Sequence, residues 1–238
     1  MKIRAGIAAA AVLASAVLVL AGCATSPATP APSPVPTDAP QTTEPQPDDI
    51  DAAWLDNGRM IAVITWGSSS VDCAPQAADV TADGQNITVK MAEPDGAIAC
   101  TADFTARATP VALPAGVDPT KEINVAVAMG DQLFDTDLDG AKGVTGVPGE
   151  PTDYAASAGW FDDNGIVLLT WGSSTCRPQV KDIAETADTL TVTFTANDGA
   201  CTRDMVPRAT VLQATNDDIT TLTLVGDNLD GTVTIIGD

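Results

Sequence analysis

The chain has 238 residues, with 32 acidic side chains against 11 basic ones, a net charge of −21 and no histidine. That length holds one large domain or two small ones. So acidic a surface repels phosphate backbones and excludes nucleic acid as a partner, and without histidine no Ser-His-Asp relay can be assembled.

Lys2 and Arg4 open the chain, an uncharged apolar run follows from Ala5 to Leu20, and Leu20-Ala21-Gly22-Cys23 closes it. The run is about 16 residues, short of the roughly 20 that a membrane span needs. Small residues end it, as they end a cleaved signal. This stretch resembles the bacterial lipoprotein signal peptide, and Leu20-Ala21-Gly22-Cys23 matches its lipobox at every position. The resemblance implies that residues 1–22 are removed and that Cys23 carries a diacylglyceryl thioether. The chain would then be lipid-anchored on the extracytoplasmic face of the cell membrane, held by more than one acyl chain. Cleavage would leave 9 basic against 32 acidic residues, a charge of −23.

Residues 23–51 read as the anchor and a linker. Ala24 to Asp51 holds eight of the 17 prolines, with Thr, Ser, Gln and Ala and almost no large apolar group. Such a segment cannot bury enough surface to fold. As an extended Pro-rich chain it could reach roughly 80 Å, a stalk between membrane and domains.

From Ala52 the sequence repeats itself. An apolar run, Met60 to Ile64, leads into Thr65-Trp66-Gly67-Ser68-Ser69-Ser70 and Cys73; Ile166 to Leu169 leads into Thr170-Trp171-Gly172-Ser173-Ser174-Thr175 and Cys176. Each cysteine stands two residues before Pro-Gln. A second cysteine, Cys100 or Cys201, follows and is itself followed by threonine, and Arg107 or Arg208 opens an Arg-Ala-Thr. One structural unit is used twice, giving a first domain over 52–148 and a second over 149–238.

Within the first unit, Trp54-Leu55 and Arg59 to Trp66 flank Asn57-Gly58, a tight hairpin turn. Met60 to Ile64 is apolar on both faces, as in a strand covered from both sides. Ala77 to Ala82 and Gln85 to Met91 flank Asp83-Gly84, and Asp95-Gly96 marks a third turn. Ile87, Val89 and Met91 alternate with polar residues, so one face is buried. Cys100, Ala102, Phe104 and Ala106 predict one face of a long strand, Ile123 to Val127 another strand, and Val144 to Val147 a weak last one. The second unit repeats the order, with Asn164-Gly165 as its first turn, Leu190, Val192 and Phe194 alternating, a strand through Cys201, Arg203 and Met205, then Leu222, Leu224 and Val233 to Ile236. No helical stripe is sustained. The fold class is all-β: two tandem antiparallel β-sandwich or barrel-like domains.

Four cysteines remain beyond Cys23, in a chain whose signal sends it where disulfides persist. Four cysteines allow three pairings. The duplication favours Cys73–Cys100 and Cys176–Cys201, one bridge inside each domain. The unit, with its Trp-Gly-Ser-Ser, Cys-x-Pro, later Cys-Thr and Arg, resembles a small β module of actinobacterial lipoproteins, over Trp54 to about Val127 and Trp160 to about Leu224. That resemblance implies no activity.

The serines Ser68, Ser69, Ser173 and Ser174 lack a base, and Gly-Ser-Ser suits a turn at a strand end. Asp135, Asp137, Asp139 and Gly140 have the spacing of half a calcium loop, but Gly146 stands where the closing glutamate belongs, so no metal site is assigned and no cofactor is expected. Arg107 has opposite parity to Cys100 and Phe104, which predicts that it leaves the core face and lies on a tryptophan ring. Trp66, Ser68, Ser69, Arg107 and their counterparts Trp171, Ser173, Ser174, Arg208 form the candidate binding surface. The expected function is a non-catalytic interaction module whose partner is a cell-envelope protein or glycan. The alternatives are a structural or calcium-dependent envelope protein and a hydrolase using carboxylates such as Asp56 and Asp162.

Overall fold

In a computed structural model, residues 49–94, 96 and 98–237 are described; Cys23, the linker expected before residue 49 and Asp95 of the expected third turn lie outside them. Fourteen strands follow in order: β1 (Asp51–Leu55), β2 (Met60–Gly67), β3 (Gln76–Asp83), β4 (Asn86–Ala92), β5 (Thr105–Ala112), β6 (Ile123–Met129), β7 (Gln132–Leu138), β8 (Ser157–Trp160), β9 (Gly165–Gly172), β10 (Gln179–Glu185), β11 (Thr189–Thr195), β12 (Val206–Gln213), β13 (Thr221–Val225) and β14 (Gly231–Ile236). The protein is all-β, and the second seven strands repeat the first seven.

Each repeat is a sandwich. In the first, β1-β2-β5 faces β3-β4-β6-β7. Ile87, Val89 and Met91 of β4 and Val125 and Val127 of β6 meet Trp54, Ile61, Val63 and Val111 from the other sheet. In the second, β8-β9-β12 faces β10-β11-β13-β14, and β14 also pairs with β8 at Ile235–Ala158 and Ile236–Gly159. The alternation expected on β4 and β11 is present: Ile87, Val89, Met91, Leu190, Val192 and Phe194 are all buried. Pairing is antiparallel except for β4 with β6, β11 with β13 and the short β14–β8 contact, which run parallel. A parallel pair needs a crossover, and β5 and β12 supply it through the opposite sheet. The register slips near the start of β3 and β10 alike, between Ala77 and Asp79 and between Val180 and Asp182.

A third core joins the halves. Odd and even residues of β2 serve different neighbours: Ile61 and Val63 face their own sandwich, while Met60, Ala62 and Ile64 meet Val167 and Leu169 of β9, with Ala53, Leu55 and Phe161. On β9, Ile166 and Leu168 turn the other way into the second sandwich. The second cover over the doubly apolar run is thus the other repeat. β1 runs antiparallel beside β8: the Asp56 amide donates to Ser157 Oγ at 2.7 Å, and a Cβ on Gly159 would come within 2.2 Å of the Trp54 carbonyl oxygen. Only glycine permits that approach.

Three local expectations are corrected. Cys100 to Phe104 and Cys201 to Met205 lie outside the strands, which begin at Thr105 and Val206; the disulfide holds these segments over the sheet end, so they need no ladder. The last strand of the first repeat is Gln132–Leu138, before Leu138-Asp139-Gly140, and residues 144–147 form no strand; the Gly146 amide instead donates to the Asn57 carbonyl at 2.9 Å. The Asn57-Gly58 turn does use positive φ, 54° and 89°. The Asn164-Gly165 turn does not, and closes through Asn164 N–H to Asp162 Oδ1 at 2.8 Å. Asp135 and Asp137 stand exposed along β7 rather than in a loop. Alternate residues of a strand are about 6.6 Å apart, so the half-loop spacing, at which no metal site is assigned, is strand alternation.

Replacing Leu169 with Ala strips buried carbons from the shared core. The expected cost is about 2–5 kcal/mol, read as a lower urea midpoint, with amide exchange accelerated in both β4 and β11.

Candidate functional site

Both candidate patches are built where β2 and β5, or β9 and β12, end side by side. Thr65 pairs with Arg107, and Trp66 with Ala106. Registered partners share a face, so Arg107 sides with Thr109 and Val111, toward its own sandwich, and Trp66 projects from the opposite face. The expectation that Arg107 leaves the core face and lies on the indole is therefore overturned. The misassigned strand over Cys100 to Phe104 set the wrong parity reference.

Arg107 Nη1 donates to the Cys73 carbonyl at 3.0 Å and Nη2 to the Trp66 carbonyl at 3.2 Å. Arg208 does the same to Cys176 and Trp171, at 2.7 and 3.0 Å. Each guanidinium lies against a glycine: a Cβ on Gly67 or Gly172 would stand 2.7 or 2.9 Å from the guanidinium carbon. Burial lowers both arginines below the ordinary value, yet a guanidinium stays charged. Arg107 is half-buried and Arg208 buried, so both clasp the loop from beneath instead of meeting a partner as expected.

Above each arginine a disulfide ties the loop after the tryptophan to the segment before β5 or β12. The pairs are Cys73–Cys100 and Cys176–Cys201, with Cα atoms 5.9 and 5.5 Å apart. The clasp brings three hydroxyls to a fourth. Ser68, Ser69 and Ser70 Oγ lie 2.7, 3.4 and 3.3 Å from Thr101 Oγ1, which donates to Asp103 Oδ1, as does the Ser69 amide at 3.1 Å. In the second repeat Ser173, Ser174 and Thr175 surround Thr202 at 2.7, 3.3 and 3.4 Å, Thr202 donates to Asp204, and the Ser174 amide reaches Asp204 at 3.2 Å. The Ser69 hydroxyl, then that of Thr101, hold the Asp103 carboxyl down to about 2. Ser174 and Thr202 hold Asp204 down to about 2 likewise.

Thr101, Asp103, Thr202 and Asp204 were not among the candidate residues. The signal was present: Cys100-Thr101-Ala102-Asp103 and Cys201-Thr202-Arg203-Asp204 share Cys-Thr-x-Asp. Trp66 and Trp171 are each partly buried, with indole nitrogens that are buried without a partner. Trp66 stacks on Phe104; Trp171 meets the edge of Tyr154 at 5.2 Å between centroids. The two loops are also neighbours, for Arg177 of the second lines a cavity of about 380 Å³ with Val71, Asp72, Gln76 and Ile98 of the first.

No protein-family model, curated protein or solved structure matches the chain. What the site can do follows from its own chemistry. A carboxylate held near 2 is a poor base at neutral pH, and the hydroxyls around it are already hydrogen-bonded. Such a cluster is suited to exchanging hydrogen bonds with a ligand and poorly suited to activating a nucleophile.

The other expected acids are dispersed. Asp56 is buried, ion-paired with Arg59 at 3.1 Å and bonded by Thr152 Oγ1 at 3.0 Å. Asp162 is exposed at the far end of β8 and forms no pair with Asp56. It instead faces Asp51, in a groove of about 960 Å³ that Trp54, Trp160, Asp137 and Lys142 also line. Burial raises the Asp51 carboxyl above its usual value, and Asp162 and then Asp49 raise it further.

An acid whose folded value is raised destabilises the fold when both states are ionised, and the penalty vanishes once both are protonated. Asp51→Asn should therefore raise the Tm by about 2 °C at pH 7. The gain should disappear as the pH falls below the unfolded value near 3.8, a dependence that scanning calorimetry across pH would follow.

Proposed function

We propose that the chain is a non-catalytic interaction module, carried on the outer face of the cell membrane by a lipid on Cys23. The observation that carries this reading is the hydroxyl–carboxylate cluster, built twice around Asp103 and Asp204 and left at the surface beside a partly exposed tryptophan. Three features support it. Each cluster rests on a rigid base of arginine, glycine and disulfide, and preorganised polar groups lose little entropy on binding. Neighbouring loops let one partner engage both, which multiplies weak contacts. The disulfides fit an extracytoplasmic location, as does the lipobox at Leu20 to Cys23. The partner is a protein or glycan of the cell envelope.

The groove between the repeats favours a second reading. A carboxyl raised by burial beside a second acid is the kind of pair a general acid belongs to, so Asp51 with Asp162 would serve a hydrolase where the ion-paired Asp56 cannot. Under that reading Asp162→Asn abolishes turnover of an envelope polysaccharide, measured by released reducing ends. Under the preferred reading the wild-type chain releases none.

In cells, Cys23→Ser should move the chain from the membrane to the soluble fraction. The full chain should be retained on isolated cell envelopes, and Asp103→Asn with Asp204→Asn should weaken that retention about tenfold. Unchanged retention in the double variant, with its Tm intact, would sink the proposal.

A further inference from the structure

The two clusters share their hydroxyls and carboxylate but not their aromatic neighbour. In the first repeat Asp103 is followed by Phe104, whose ring stacks on Trp66 with centroids 5.9 Å apart and planes 23° from parallel. One face of Phe104 is thereby covered, yet the residue is 45% exposed, so its other face is open. In the second repeat the equivalent residue is Met205, and Trp171 meets the edge of Tyr154. Only the first repeat thus has an exposed aromatic residue directly after the carboxylate. Asp103 and Phe104 are consecutive, with Cα atoms about 3.8 Å apart. The Ser69 amide and the Thr101 hydroxyl both bond Asp103 Oδ1, and a carboxylate offers about four acceptor sites over its two oxygens. The exposed Ser69 hydroxyl stands alongside, bonded to Asp103 and with a lone pair left to accept from a ligand.

We propose that the first-repeat patch, formed by the open face of Phe104, the Asp103 carboxylate and the Ser69 hydroxyl, is a subsite for a neutral or amino-bearing sugar of a polysaccharide. A pyranose ring has an apolar face of C–H groups with partial positive charge, which complements the negative face of an aromatic ring. Its rim carries hydroxyls that donate to a carboxylate, a charge-assisted bond stronger than a neutral one. One sugar presents both surfaces at the spacing of adjacent residues, and such pairing of an aromatic platform with a few placed polar groups is the usual make-up of a ligand site. Charge narrows the class. The Asp103 carboxylate, on a chain of net charge −21, repels uronic acids and phosphorylated sugars. In the second patch a methionine takes the place of Phe104, so the stacked platform beside the carboxylate is not repeated. This assignment rests on the reading of the loops as contact surfaces and names the ligand class for one of them.

The test titrates soluble hexaoses of glucose, mannose and N-acetylglucosamine into the full chain in detergent, followed by calorimetry and by Trp66 fluorescence. At least one should bind. Phe104→Ala and Asp103→Asn should each weaken it about tenfold or more, Phe104→Tyr should keep it, and Met205→Ala should leave it within about twofold. Far-UV circular dichroism checks the fold of each variant, and the exposed Asp103→Asn carries the test if Phe104→Ala disturbs the loop. Absence of saturable binding to any hexaose up to about 10 mM overturns the assignment, as does binding indifferent to Phe104→Ala and Asp103→Asn. Envelope retention that depends on Asp103 and Asp204 but not on Phe104 overturns it too, while leaving the interaction reading in place.

Discussion

The structure depends on two strands that are apolar on both faces. β2 and β9 each lie in a sheet of their own repeat, and each would present a bare hydrophobic face if that repeat stood alone. Packing Met60, Ala62 and Ile64 against Val167 and Leu169 removes both faces from water at once. Burying a large aliphatic side chain is worth roughly 1.5–3 kcal/mol, so the shared core contributes on the order of 10 kcal/mol as an upper estimate. That is comparable to the whole net stability of an ordinary domain. The many alanines in this layer, Ala53 and Ala62 with Ala106, Ala108 and Ala209 at its edge, let the two sheets approach closely, and Gly159 brings β8 onto the backbone of β1.

The same constraint fixes the patches. The end of β2 is anchored by burial on both sides, so Trp66 and Gly67 emerge from a rigid element. Arg107 then fills the space against Gly67 and satisfies two carbonyls of the turning chain. Everything beyond it, from the serines to Asp103, hangs on that clasp and on the disulfide. The second repeat reproduces each bond at a nearly equal distance although two residues are missing between Thr175 and Cys176. The hydrogen bonds were kept and the loop length was not, which marks the cluster as the element the loop is built to hold.

Much of this was legible in the sequence because its signals are local or repeated. Alternation on β4 and β11 follows from a period of two, and the cysteine pairing follows from the duplication. The double-sided apolar runs even announced a second cover without saying what supplied it. Other features were illegible for physical reasons. Strand boundaries near Cys100 depend on a cross-link that frees the segment from any ladder, so the apparent alternation through Phe104 misled the parity of Arg107. The parallel pairs β4–β6 and β11–β13 are choices of partner, which residue patterns do not encode. The Asp103 cluster needs the fold to bring residues 68–70 to 101–103, and the pairing of Asp51 with Asp162 needs the two repeats to meet.

The position of each cross-link in the topology has one more consequence. Cys73 and Cys100 flank the β3–β4 hairpin, whose outer rungs already join Gln76 to Ala92, and Cys176 and Cys201 flank β10–β11, joined from Gln179 to Thr195. A hairpin forms in microseconds, long before thiols oxidise. By then each cysteine finds its mate across a loop that is mostly closed, so little entropy is left to spend on bringing them together. Of the three ways to join four sulfurs, the correct one is selected by geometry that local chain contacts establish first. Oxidation after the hairpins have formed then yields this pairing with little need for reshuffling.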